Sequence, residues 1–299
     1  MDSLVIAPPA DRLRDVAEVL GSWQLDDGPV QLHPGDLGWF SMRGPVATAQ
    51  ALRVWEDGGE LVAVGLLDGP DLLRLAVRPG AAEDAQLARQ MADDITDPTK
   101  GVLPAGAAYV EARGLPLLDE ALVRHGWRRD EVWTPLRHHL AGAVEVEAVR
   151  GSGLQVSEVP HDEHGSWGEV HWSAFTGTEY GALERARIID WLDTMRNGPL
   201  GERVALLIGR DPAGAAVAVA GVWTAGRGRP GLIEPMGVHA DHRGKGYGVD
   251  ICRAAALRLR ELGCSSAAVA TESANRGAVD TYVAAGFVAG DEVLDLSRR

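Results

Sequence analysis

Hydrophobic and polar positions along the chain mark out a series of short strands and helices that occurs twice. Leu72 to Val77 (LLRLAV) is an apolar run of strand length, followed by a Pro-Gly turn and a helical segment from Glu83 to Ile95. Leu232 to Val238 (LIEPMGV) leads in the same way into a glycine-rich turn and a helix from Val249 to Leu262. In that helix Val249, Cys252, Ala256, Leu259 and Leu262 share one apolar face, Arg253 and Arg260 turn away, and Gly263 is placed to end it. Ala107 to Ala112 then parallels Ala267 to Glu272, and Arg124-His125-Gly126-Trp127 parallels Ala284-Ala285-Gly286-Phe287. The offset is 161 residues for Val77/Val238 and 160 for Gly126/Gly286. A near-constant offset over four elements reads as two copies of one αβ unit.

Within each copy the predicted order is a helix, several strands joined by hairpins, then strand–helix–strand–helix–strand. Glu56-Asp57-Gly58-Gly59 and Arg210-Asp211-Pro212-Ala213-Gly214 supply turn chemistry between alternating apolar runs. The fold class is therefore α/β in the mixed (α+β) sense: two tandem units, each a mixed, mostly antiparallel sheet flanked by helices. Small residues and a Gly-Ser-Gly end make 141–153 the predicted linker between units 1–140 and 154–299.

Composition narrows the function. A chain of 299 residues with 45% hydrophobic and 24% charged residues has room for two folded cores. Its net charge of −14 speaks against nucleic acid or an anionic membrane as partner, since both reward clustered Lys and Arg. Cys252 and Cys264 are too few for a disulfide scaffold or a cysteine metal cluster. The first residues show no basic and apolar signal pattern, and no apolar run reaches the ~20 residues of a membrane span, so a cytoplasmic location is expected.

The densest chemistry lies in His242-Arg243-Gly244-Lys245-Gly246-Tyr247-Gly248, between a strand and a helix. Glycines permit tight turns and close approach of a ligand to the backbone, and a helix N-terminus offers free N–H groups to an anion. Five basic residues between His242 and Arg260 face the single Asp250, a cationic spot in an acidic chain. A diphosphate is the natural occupant. The Walker pattern is absent, and Val249 stands where a dinucleotide-binding fingerprint needs its third glycine. About thirty residues on, Asn275 and Tyr282 stand seven apart in a segment ending at Gly286-Phe287, a spacing that puts both on one helical face.

This pair of segments resembles the acyl-CoA motif and following helix of the GNAT superfamily of N-acetyltransferases. Its loop reads Arg/Gln-x-x-Gly-x-Gly/Ala, filled here by Arg243, Gly246 and Gly248. The likeness covers roughly 231–287, and the preceding strands suit that fold back to about Leu154. It implies that backbone amides from Arg243 to Gly248 (with Gly244, Lys245 and Tyr247 between) hold the diphosphate of acetyl-CoA. It also implies that the Val238 N–H receives the acetyl carbonyl, that Asn275 contacts the pantetheine arm, and that Tyr282 lies near the thioester sulfur. Pro235 and Gly237 weaken regular pairing in the preceding strand and predict a bulge there. A phenol can give a proton to the departing thiolate, so Tyr282 is the expected general acid. Glu234, on the strand beside the expected acetyl site, is the expected base; a water chain is the alternative, and Glu272 a weaker one. The implied reaction is direct attack by the primary amine of a small molecule, with no metal.

The first copy departs from this pattern. In its loop Glu83 and Asp84 stand where a diphosphate would bind, and Leu122 and Leu115 replace Tyr282 and Asn275. The first unit is accordingly expected to bind no acyl-CoA and to serve as scaffold or as part of the acceptor pocket. Trp167, His171 and Trp172 lie on a helix that lines the acceptor channel in this family, which makes them expected substrate contacts, with a core role for the tryptophans as the alternative. His161-Asp162-Glu163-His164 reads as a turn before a helix, not a metal site. In length and in its degenerate first half the chain resembles the mycothiol synthases among tandem members. Thiol-sugar amines, antibiotic amines and polyamines all remain open as acceptors. A non-catalytic acyl-CoA sensor, or transfer of a longer acyl group, would be the competing functions.

Overall fold

The computed structural model describes residues 3–141 and 152–299; most of the predicted linker lies outside them. The first half runs β1 (Ser3–Ile6), α1 (Leu13–Ser22), α2 (Pro34–Phe40), α3 (Pro45–Ala51), β2 (Leu52–Asp57), β3 (Glu60–Leu67), β4 (Leu72–Val77), α4 (Ala85–Thr96), β5 (Ala108–Glu111), α5 (Pro116–Arg124) and β6 (Arg128–His139). The second runs β7 (Gln155–Glu158), α6 (His164–Phe175), α7 (Ala182–Asn197), β8 (Val204–Arg210), β9 (Ala216–Trp223), β10 (Gly231–Val238), α8 (Tyr247–Glu261), β11 (Ser266–Glu272), α9 (Arg276–Ala284), β12 (Val288–Ala289) and β13 (Val293–Arg298). The predicted helices and strands fall within a few residues of these limits. The β2–β3 hairpin turns on Gly58 and Gly59, both with positive φ, as a two-residue hairpin requires.

Among the described residues the strands join one sheet in the order β1-β2-β3-β4-β5-β13-β6-β11-β10-β9-β8-β7, with β12 beside β6. Two pairs are parallel, β4–β5 and β10–β11, and they occupy corresponding places in the two copies. The copies exchange their last strands. Strand β6 of the first half pairs with β11 of the second, and β13 of the second pairs with β5 of the first. The unit ending at residue 140 therefore contributes its final strand to the other copy's side of the sheet.

Each copy buries apolar side chains on both faces of its strands. In the second, Ile233, Ile251, Cys252, Leu259 and Phe287 pack between the sheet and α8 and α9. Trp167, Ile188, Leu192, Trp223 and Leu232 pack on the opposite face, under α6 and α7, with Met42 of the first half among them. Helix α2 reaches across to this face. A Cβ on Gly38 would stand 2.1 Å from the Trp223 ring, so only glycine lets α2 approach so closely. No helix of the described residues is long and apolar enough to cross a membrane.

Candidate active site

The site begins where β10 and β11 part. Their parallel pairing covers Gly231↔Ala267 and Leu232↔Ala268, while β10 continues to Val238 and β11 to Glu272. On its other edge β10 follows β9, with a register shift between Ile233 and Met236. This is the bulge that Pro235 and Gly237 predicted, and it changes which face each residue meets. Ile233 faces α8 and α9, and beyond the bulge Met236 and Val238 face the same side, so the strand's alternation has slipped by one residue. Strand β4 keeps a regular register against β3 throughout. The extra residue explains why the repeat offset is 161 at Val238. Counted from Leu72/Leu232, before the bulge, Arg74 is the counterpart of Glu234.

Past the bulge, one backbone donor has no partner on β9. His239 N donates to Val217 O at 2.9 Å, and Val238 lies opposite Ala218, which makes that couple a non-hydrogen-bonded pair of the ladder. The Val238 N–H therefore points away from β9, toward the gap that β11 has vacated. A cavity of about 640 Å3 opens here, lined by Met236, Gly237 and Val238, by the loop from His242 to Gly248 except Lys245, and by Asn275 and Thr281.

The loop folds as its glycines allow. Gly244 and Gly246 have φ of 76° and 85°, and Gly246 is the N-cap of α8. Glycine brings no capping side chain, and among the described residues no side-chain hydrogen bond caps the α8 N-terminus. Arg243 Nη2 donates to Ala174 O at 2.9 Å, fixing the loop against the end of α6. In the corresponding turn of the first half, Asp84 caps α4, accepting from Gln86 N at 2.8 Å and Leu87 N at 3.1 Å. The same helix end is open in one copy and closed by its own carboxylate in the other.

Glu234 points away from this cavity into a second one, of about 210 Å3, between the two halves. It shares those walls with Asp36, Asp68, Arg74 and Glu111 of the first half. Arg74 lies 2.9 Å from Asp36, 3.1 Å from Glu111 and 3.5 Å from Asp68. Burial, offset in part by the Arg74 guanidinium, pushes the Glu234 carboxyl up to about 7, and the neighbouring carboxylates push it the same way. Tyr282 is buried against Phe287, and burial, with Cys252 and Glu234 nearby, raises its phenol well above the ordinary value. The two expected catalytic side chains are thus within electrostatic reach of each other, although neither lines the 640 Å3 cavity.

Several expected residues sit differently from their sequence reading. Asn275 is not in the helix. It is the N-cap of α9, and its Oδ1 accepts from Ala278 N at 3.2 Å, so helical spacing does not align it with Tyr282. Lys245 is exposed and off the cavity, while the Tyr247 side chain is buried in the core beneath the loop. Trp167 is a core residue: it is 0% exposed and its indole donates to Leu207 O at 3.1 Å, leaving no face for an acceptor. His171 stacks on Trp167 with centroids 5.1 Å apart, and burial lowers its pKa to about 4. Trp172 is partly exposed, donates to Thr178 at 3.0 Å, and carries the Arg187 guanidinium over its ring. His164, 2.7 Å from Asp193, also accepts from Arg196 Nη1 at 3.1 Å, so both its ring nitrogens are committed. Arg74 and Asp36, in the inter-half cavity, are site residues that the motifs along the chain do not single out. The one available signal was the charged Arg74 inside an otherwise apolar strand.

Residues 166–287 match the family described as the acetyltransferase (GNAT) family. The chain carries a GNAT acyltransferase domain. The match runs from α6 to the end of α9 and includes the parted strands and the open helix N-terminus. Over 292 residues the chain is 27% identical to a protein named mycothiol acetyltransferase from Propionibacterium freudenreichii subsp. shermanii, covering 95% of this chain and 88% of that one. A tandem GNAT protein from the clavulanic acid biosynthesis pathway shares the fold at TM-score 0.59 and 17% identity, covering 99% and 98% of the two chains. A GNAT-family acetyltransferase from Colwellia psychrerythraea does so at TM-score 0.58 and 12% identity, again covering 99% and 98%. The tandem architecture thus extends to the first half, beyond the GNAT domain itself.

Proposed function

We propose that the GNAT domain transfers an acetyl group from acetyl-CoA to the primary amine of a small molecule, by direct attack, at a single site in the second half. The carrying observation is the parting of β10 from β11, which leaves the Val238 N–H turned away from β9 at the wall of the 640 Å3 cavity that the start of α8 also lines. A cavity of about 640 Å3 lies within the ~300–1,000 Å3 range of ligand sites. Acetyl-CoA supplies the activated acyl group, a thioester. The amides of Arg243–Gly248 would hold its diphosphate, with the dipole of α8 behind them. The Val238 N–H would stabilise charge developing on the acyl carbonyl oxygen.

The acceptor reaches the split from the inter-half side. An alkylammonium of pKa ~10.4 must lose a proton before it attacks, and a carboxylate poised near neutrality can take it. Glu234 is that base. The amine lone pair forms the C–N bond as the C–S bond breaks, and Tyr282, protonated at all physiological pH values, gives its proton to the leaving sulfur. The products are an amide and free CoA thiol. The first half, residues 1–140, binds no acyl-CoA, because Asp84 occupies its helix end, and it supplies one wall of the acceptor cavity.

The similarity to a named mycothiol acetyltransferase places an aminated thiol-sugar among the acceptors to be tried. Thiol release from acetyl-CoA across a panel of amines tests the activity. Calorimetry with CoA on the whole chain tests the site: one CoA per chain is expected, and two would overturn the assignment of the first half.

A further inference from the structure

The cavity between the halves contains a group that the proposed acyl transfer does not use. Trp133, on β6, lines it, and the Trp133 Nε1–H is buried without a hydrogen-bond partner among the described residues. The indole is not free to turn away. Arg113 lies over its ring at 4.8 Å, and Arg113 is held at 3.3 Å by both Glu111 and Asp295. A buried donor left unpaired destabilises the fold, a penalty that a phenylalanine would have avoided. An indole N–H can only donate, so its missing partner is an acceptor atom. The remaining walls define the rest of the ligand. The carboxylates Asp36, Asp68, Glu111 and Glu234 outnumber the guanidiniums of Arg74 and Arg113, which favours a cation. A volume of about 210 Å3 is below that of a site for a drug-sized molecule.

Resting on the acyl-transfer reading above, we propose that this cavity selects a small acceptor carrying a hydrogen-bond-accepting oxygen beside its cationic amine, with Trp133 donating to that oxygen. The first half would then set acceptor specificity through β6, the strand it lends to the other copy. Plain alkylamines would be poor substrates for want of the oxygen.

The test compares 2-amino-1,3-propanediol with isopropylamine, which share a carbon skeleton and differ in hydroxyl groups. Wild-type protein is expected to show kcat/KM at least about tenfold higher for the diol, the worth of one good hydrogen bond. Trp133→Phe is expected to remove about tenfold for the diol, through KM, while isopropylamine changes by less than about twofold. CoA affinity of the variant, measured in parallel, reports whether the fold is intact. Equal losses on both amines in a folded variant, or no preference in the wild type, overturn the assignment. If wild-type protein acetylates no amine at all, the acyl-transfer reading fails instead. Calorimetric binding of the two amines to wild type and variant then still decides the role of Trp133: a diol preference that Trp133→Phe abolishes supports it, and equal binding rejects it.

Discussion

Glu234 offers the sharpest prediction, because its environment makes its charge depend on pH in the physiological range. Burial raises the carboxyl from 4.5 to about 7. If its ionised form accepts the acceptor's proton, kcat/KM rises about tenfold between pH 6, where about a tenth is ionised, and pH 8, where about nine tenths is. A carboxylate near 4.5 would show no rise in that interval. Glu234→Gln should abolish this limb and lower the rate by ~10²–10⁴, while leaving CoA affinity unchanged. A colorimetric thiol assay suits the measurement, since Cys252 and Cys264 are both buried and CoA supplies the reactive thiol. Stability gives an independent reading. A raised carboxyl pKa means the folded state resists ionisation, so the Glu234 contribution to stability falls as pH rises from 4.5 to about 7 and is then constant. The full shift corresponds to about 3 kcal/mol, an upper figure because the side chain borders a cavity. Glu234→Gln should therefore melt higher than wild type at pH 8, with the gap closing toward pH 4.5. A variant that keeps the acid limb near 7 would refute the base assignment. A melting curve no different from wild type at pH 8 would refute the burial argument.

The other predictions concern the remaining parts of the site. Tyr282→Phe should retain CoA affinity and lose about ten- to hundredfold in kcat, measured by thiol release; an unchanged kcat would remove Tyr282 as acid. Gly246→Ala forces a Cβ into a conformation with φ of 85°, costing ~1–2 kcal/mol, and should weaken CoA binding in calorimetry with little effect on acceptor KM. Gly38→Ala drives a methyl into the Trp223 ring and should lower the melting temperature by the equivalent of ~1–3 kcal/mol, most simply by separating α2 from the second half.

Much of this architecture was legible in the residues, because each signal was local. The two copies showed as a constant offset, the phosphate-type turn as alternating glycines before an amphipathic helix, and the bulge as Pro235 and Gly237 within one strand. Even the one-residue jump in offset from 160 to 161 was the bulge itself, visible before its meaning. What remained hidden depends on long-range pairing. No pattern in Arg128–His139 or Val293–Arg298 says that these strands add to the opposite copy, because a strand's alternation defines its faces and not its neighbours. For the same reason no pattern along the chain sets Arg74 or Asp36 against Glu234, although the fold does. Asn275 misled because a seven-residue spacing aligns two side chains only when both lie inside the helix.

The strand exchange has a further consequence for how the chain reaches its folded state. Leu296 pairs with Val110, so the first half's sheet is completed by residues made long after its own last strand. During synthesis β5 must wait as an open edge, the kind of surface that recruits other strands, until Val293–Arg298 arrive. Pairing at such sequence separation is slow to form. The two copies should therefore mature as one cooperative body and not one after the other.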